Sequence, residues 1–390
     1  MNILFISFDA DPPNMGGTAT IVNIIARYLA NKGHQVFLGY LSPSNTPSTF
    51  FKKKIYICKA NKQKIKKFFC QNKIEIVYNV CGQDIDWEFY NEIREGTKEI
   101  VAYHGRPHIS SWAIESLWNM FLTSKDPIRK LHKLLWIICS PITNYFHRQK
   151  EKSKFINMYK FADKIMLLSM NYLPVYQKML PHYLLSPQKF VAIPNPIVFN
   201  ECFPIKDYEL KEKRVLVVSN ISHAKRVELM LKIWSKIEKD TRFKDWTFDF
   251  VGDSIVLNKY KLLSKKLGIT RLTFYGKQNP LEYYRRASVF LMTSRTEGWP
   301  MVLMESMQMG VVPIVYNSFE ALEEIIEDGK TGFIIDNNDE KQFIEKLKLL
   351  LADKDLRKQM AGNAIHSCKR FTLDVIGEKY EKLFLSLLNH

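Results

Sequence analysis

Residues 2–8 form an apolar run, followed by a loop with Pro12, Pro13, Gly16 and Gly17. From residue 18 to 31 the pattern changes: Ile21, Ile24, Ile25, Tyr28 and Leu29 recur at helical spacing, and Gly33 stops the helix before a second strand at Gln35–Tyr40. Further apolar stretches at 54–58, 74–79, 98–103, 163–168 and 189–193 read as strands, with helical patterns between most of them. Alternation of this kind predicts a mainly parallel sheet with crossover helices.

The series restarts after Pro194-Asn195-Pro196, since two prolines so close together break regular structure. Strands are expected at 214–219, 247–251, 271–275, 288–293, 312–316 and 332–335, with helices at 226–238, 257–267, 300–309 and 339–351. The expected architecture is α/β, with two Rossmann-like doubly wound domains facing across a cleft. Their boundaries are expected at 1–198 and 199–371, with a C-terminal helix over 372–390 returning to the first domain. One segment interrupts the rhythm. Residues 109–161 contain no good strand and read as a helical insertion in the first domain, rich in aromatics (Trp112, Trp118, Trp136, Tyr145, Phe146) and in cations (Arg129, Lys133, Arg148, Lys152).

Composition narrows the classes. With 46% hydrophobic and 25% charged residues, the chain has enough apolar side chain for packed cores and is not a disordered segment. Lys and Arg exceed Asp and Glu by 57 to 40, a net +17, which draws anionic partners unless it is only a bias towards surface lysine. The six cysteines are scattered with no close pair, fitting reduced thiols in the cytoplasm rather than zinc or a disulfide framework. The N-terminus lacks a basic start and its apolar run stops at Asp9, so it reads as a buried strand and not as a signal peptide. No stretch offers the ~20 apolar residues of a membrane span.

The most informative segment is Ser294-Arg295-Thr296-Glu297-Gly298-Trp299-Pro300-Met301-Val302-Leu303-Met304-Glu305, which follows the strand at 288–293. Pro300 suits a first helical turn and Gly310 a C-terminal stop, giving strand, tight turn, helix. Free N–H groups at such a helix start, with the helix dipole, bind phosphate. Glu297 falls in the turn and Glu305 about two turns along the helix; carboxylates accept hydrogen bonds from sugar or ribose hydroxyls. Two glutamates alone would read as a cap and a surface acid, and it is the surrounding turn, helix and prolines that favour a site.

Glu297 and Glu305 resemble the E-x7-E signature of family 4 of the retaining glycosyltransferases, which have the GT-B fold. Ile193-Pro194-Asn195-Pro196-Ile197 is similar to that family's interdomain turn, and Val217 to Arg226 to its "VGRL-x3-KG" loop. Asp328-Gly329-Lys330-Thr331-Gly332-Phe333 is similar to a late turn. The likeness covers most of 190–371 and is thinner in the first domain, at Gly16-Gly17 and His104-Gly105.

The resemblance implies transfer of a hexose from a nucleotide-diphosphate sugar, UDP-linked by prior, to a lipid-linked or polysaccharide acceptor in bacterial cell-surface glycan synthesis. It implies that Lys225 holds the diphosphate, Glu305 the ribose, and Glu297 the transferred sugar together with the backbone of Gly298, Trp299, Pro300, Met301 and Val302. Gly16 and Gly17 would approach the diphosphate, and His104 would stand on the sugar side or, equally, be a loop histidine bonded to backbone. The family's arginine is replaced by Asn220, so Arg226 is expected as the second clamp, with Arg295 as the other candidate. No metal or other cofactor is expected, the nucleotide sugar being a substrate; Asp84 and Asp86 have Asp-x-Asp spacing but read as helix caps. The basic, aromatic insertion suits an anionic membrane surface, giving a cytoplasmic protein peripheral on the inner face of the membrane, or else a soluble helical cap. Nucleic acid is not an expected partner. Two rival readings stay open: a nucleotide-sugar epimerase of the same fold, and a non-catalytic sugar-nucleotide-binding subunit suggested by Asn220.

Overall fold

The computed structural model describes residues 1–9, 16–42, 50–94, 96–107, 126–254 and 256–389. The chain divides into two compact units, Met1–Ala192 with Leu383–His390, and Ile193–Lys382. Each is built on one parallel sheet.

In the first unit the strands are β1 (Asn2–Asp9), β2 (Gln35–Ser42), β3 (Lys54–Tyr56), β4 (Ile76–Asn79), β5 (Lys98–Ala102), β6 (Lys164–Leu167) and β7 (Phe190–Ala192). They lie in the order β3-β2-β1-β4-β5-β6-β7. Helices cover both faces of such a sheet, so β4 is buried along its whole length and Ile3 to Ile6 of β1 are fully buried. Glu99 of β5 is fully buried as well, accepting from Asn79 Nδ2 at 2.9 Å and from the Tyr90 hydroxyl at 3.0 Å. Burial pushes its carboxyl up to about 7.

In the second unit the strands are β8 (Arg214–Val218), β9 (Thr247–Val251), β10 (Leu272–Gly276), β11 (Val289–Met292), β12 (Val312–Tyr316) and β13 (Phe333–Ile335), in the order β10-β9-β8-β11-β12-β13. Its core joins Phe248, Phe250, Leu291 and Ile314 from one face of the sheet with Trp234 and Phe343 from the helices that cover that face. The chain winds outwards from β8 to β10, returns to pair β11 against β8, and winds the other way to β13. The strand order therefore reverses between β8 and β11, and the loops leaving their carboxyl ends diverge there. A crevice of this kind is where open parallel sheets bind ligands.

Two expectations change. Gly16 and Gly17 form the first turn of the helix Gly16–Asn31 rather than the loop before it; helical backbone is open to glycine, and first-turn N–H groups have no intrahelical acceptor. The stretch 109–161 lies outside the described residues as far as 125. Beyond that it is one helix, Pro127–Phe161, which forms part of the connection from β5 to β6 and so belongs to the sheet's own winding. Asp86 does cap a helix, accepting from Phe89 N.

Candidate functional site

The loop after β8 carries Ser219 to Arg226 and the loop after β11 carries Thr293 to Pro300, so both leave the switch point of the second sheet. Several bonds join them. Arg295 N donates to Ala224 O at 2.7 Å, and the Thr293 hydroxyl lies 2.9 Å from Lys225 O. Ser219 is held from the other side, donating its N–H to Val251 O at 2.9 Å. Gly252 lies directly against it: its φ is +147°, and a Cβ there would stand 1.8 Å from Ser219 O, so no other residue fits.

This framework brings Lys225 Nζ within 2.5 Å of Glu297 Oε1, with both side chains mostly buried. The turn continues through Gly298, buried Trp299 and buried Pro300 into the helix Met301–Gln308. Pro300 is the N-cap residue and its side chain makes no capping bond, leaving the first N–H groups of the helix without an acceptor from that source. Met301 and Val302 are half-buried. A turn later, Glu305 accepts from the Tyr284 hydroxyl at 3.0 Å, a hydroxyl shared with Val302 O at 3.1 Å. Burial pushes the Glu305 carboxyl up to about 7, against the smaller opposing pull of the tyrosine bond. Trp299 packs edge-on against Phe371 at 5.4 Å and is 4% exposed, which makes it part of the support under the turn.

Arg226, expected as the second clamp, is bonded within the protein. It stands at the position of the glycine in "VGRL-x3-KG" and takes the left-handed backbone that a glycine would take, φ 52° and ψ 46°. Its guanidinium is buried against Tyr316, 4.8 Å from the ring centroid. It donates to Thr293 O, to Ser294 O at 3.0 Å, and to the side-chain oxygens of Asn338 at 2.7 Å and Asn337 at 3.0 Å. Those four bonds fix the β11 loop, and Arg226 also lines the cavity beside it. Arg295, by contrast, is exposed and forms no side-chain bond or ion pair among the described residues. It lines a cavity of about 210 Å³ with Ser222, His223 and Lys232. Asn220 is exposed at the end of β8.

In the first unit, His104 follows β5, its Nε2 2.7 Å from the Tyr78 hydroxyl. It lines a second cavity of about 210 Å³ with Thr18, Gln83, Asp84 and Gly105. Tyr78 and Tyr284 both hold a candidate residue, and neither was expected. Their only sequence signal is an aromatic in or beside an apolar run, which reads as core.

Residues 199–367 match the family model described as glycosyl transferases group 1. Among relatives, an α-1,4-N-acetyl-D-galactosaminyltransferase of Campylobacter jejuni, named for a diNAcBac-PP-undecaprenol-linked glycan, is 27% identical over 59% of this chain and 62% of its own. The amylovoran biosynthesis glycosyltransferase AmsD of Erwinia amylovora is 30% identical over 44% of this chain and 48% of its own. The chain thus matches about half to three fifths of the length of these curated relatives. Among solved structures, Anabaena HepE in complex with UDP superposes with a TM-score of 0.72 at 13% identity, over 99% of this chain and all of that one. Residues 199–367 are a match to the group 1 glycosyl transferases, within a chain that has the GT-B fold of two Rossmann-like domains.

Proposed function

We propose that this chain is a retaining glycosyltransferase of family 4, with Glu297 and Glu305 as its E-x7-E pair. It would transfer a hexose from a UDP-linked donor to a lipid-linked or polysaccharide acceptor in bacterial cell-surface glycan synthesis, at the inner face of the membrane. The observation that carries the reading is Lys225 against Glu297 at a topological switch point, beside the start of the helix Met301–Gln308. A diphosphate seated there would meet one fixed ammonium and a set of helix N–H groups, both placed before the charge develops. Arg295 is the second cation, in place of the family's arginine. Glu305, about one turn into the helix and steadied by Tyr284, receives the ribose hydroxyls.

In the proposed step the anomeric C–O bond to the phosphate breaks and a bond to the acceptor hydroxyl forms on the same face. The acceptor proton passes to a phosphate oxygen of the departing nucleotide. Lys225, Arg295 and the helix start carry the leaving-group charge, so no resident metal is invoked. The relatives' lipid-diphosphate and amylovoran names, and the UDP bound to HepE, support the choice of donor and acceptor classes.

UDP release and glycan transfer, measured with wild type and with Lys225→Ala and Glu305→Ala, test the reading; both variants should fold and lose turnover. Unchanged turnover in both would falsify it. The exposed, uncharged Asn220 favours one second reading, a subunit that binds the nucleotide sugar without turning it over. Saturable binding of the nucleotide sugar with no UDP release in the presence of any acceptor would establish that alternative.

A further inference from the structure

We propose that Gln308 and Lys211 are positioning residues for the donor site: with Phe199 they tie the stretch 199–211 to the far end of the helix Met301–Gln308, and so fix the carboxylate oxygen that Glu305 presents to a ribose. The Tyr284 hydroxyl holds Oε2 of Glu305 at 3.0 Å. The carboxylate accepts no other side-chain bond among the described residues, so Oε1 is left for a ligand. Hydrogen bonds are directional, and the aim of Oε1 is only as good as the placement of Tyr284. Tyr284 is fully buried, yet it sits on the helix Leu281–Arg286, six residues long, too short to hold its own shape.

Lys211 closes two carbonyls that the helix ends leave open. Tyr284 O receives no N–H from Ser288, whose N–H goes to Arg214 O at 3.1 Å. Met309 O receives none from Pro313, which has no N–H to give. Lys211 Nζ donates to both carbonyls, at 2.7 Å each, with the Phe203 ring centroid 4.2 Å away. No acid pairs with it among the described residues, and burial pushes its amine down to about 6. At pH 7 it is a neutral tie between the ends of the two helices that carry Tyr284 and Glu305, rather than a cation held out to phosphate.

Gln308 makes the second tie. It is 1% exposed and lies three positions after Glu305 on the same helix. Its Oε1 accepts from Phe199 N at 3.3 Å, and its Nε2 donates to Phe199 O at 2.6 Å and to Glu201 O at 3.3 Å. The Phe199 ring in turn meets the Tyr284 ring edge-on, with centroids 6.0 Å apart. Contacts thus run from Glu305 to Tyr284, to Phe199, to Gln308 and back to the helix that carries Glu305. A methionine would fill the volume of Gln308 without the cost of burying an amide; what the amide adds is direction.

This inference rests on the reading of Glu305 as the ribose ligand. Calorimetric titrations with UDP, with 2′,3′-dideoxy-UDP and with inorganic pyrophosphate are run on wild type, Gln308→Met, Lys211→Met, Phe199→Leu and Glu305→Ala. Wild type should prefer UDP to the dideoxy nucleotide by about tenfold, the effect of one charge-assisted contact. Gln308→Met, Lys211→Met and Phe199→Leu should each reduce that preference to about threefold or less. Their pyrophosphate affinity should equal wild type, because Lys225 and the β11 loop are held by bonds of their own. Adding Gln308→Met to Glu305→Ala should change the preference no further. Phe199→Leu removes no buried polar group, so it carries the test if either methionine variant fails to fold. A full preference in the folded variants overturns the positioning roles and leaves the Glu305 reading standing. Equal loss of UDP and pyrophosphate binding also overturns them, since it marks general loosening of the unit. No preference in wild type overturns both readings.

Discussion

Lys225 and Glu297 meet at 2.5 Å with about a quarter and a seventh of their side chains exposed, and the lysine is the cation proposed to face the diphosphate. Lys225→Ala should lower kcat by about 10²–10³-fold, the loss usual when one preorganised electrostatic group is removed from a transition state, with little change in melting temperature. A variant that stays within twofold of wild type would contradict its role. Glu305 makes a prediction in pH. Its carboxyl is held up to about 7 by burial, so below that pH it carries a proton and loses half its capacity to accept from ribose hydroxyls. The donor KM should therefore rise as pH falls from 8 to 6, and this limb should vanish in Glu305→Gln. Initial rates across that range decide the matter.

At the scale of elements, Arg226 adds to the several bonds by which the β8 and β11 loops hold each other. Arg226 keeps a left-handed backbone and satisfies two carbonyls and two asparagine oxygens. Arg226→Met removes the donor to the buried Thr293 carbonyl, which costs about 1–3 kcal/mol where no water reaches, while Ser294 O keeps its bond from the Ser318 hydroxyl and Asn337 and Asn338 are exposed. It should lower the unfolding midpoint of the protein by several degrees, whereas Arg295→Ala should leave it unchanged and reduce turnover. The opposite pattern would return the clamp to Arg226. The sequence resemblance placed Arg226 correctly beside Lys225 but could not tell a ligand from a strut. That distinction depends on Asn337 and Asn338, more than a hundred positions away.

The parallel strands were legible, because strands buried on both faces are continuous apolar runs, as in Val289–Met292, where every residue is buried. The short helix Leu281–Arg286, which supplies Tyr284, was not, since a helix of barely two turns shows no periodicity. Gly16 and Gly17 were read as loop for a related reason: glycine contributes nothing to a hydrophobic pattern, so the helix became visible only after them.

For the whole molecule, burial of titratable groups couples folding to pH. Glu99 has a folded-state pKa near 7 against an ordinary 4.5, so its folded form holds a proton that the unfolded chain has released. Its contribution is free of penalty below about 4.5, worsens as pH rises to about 7, and is constant above that. The upper limit of the penalty is roughly 3 kcal/mol. Glu99→Gln should therefore gain stability relative to wild type at pH 8 compared with pH 4.5, as read by denaturant unfolding at both. A difference independent of pH would mean that Glu99 is ionised in the folded protein. The excess of cations, net +17, acts over the same whole-molecule scale and is screened by added salt.

The central claim is that Lys225 and the start of the helix Met301–Gln308 seat a diphosphate while Glu305 holds the nucleoside, and calorimetric titration with UDP tests it most directly. Wild type should bind saturably at one site, with Lys225→Ala and Glu305→Ala each weakening binding by about tenfold, the effect of losing one charge-assisted contact. Equal affinity in all three proteins would contradict the account.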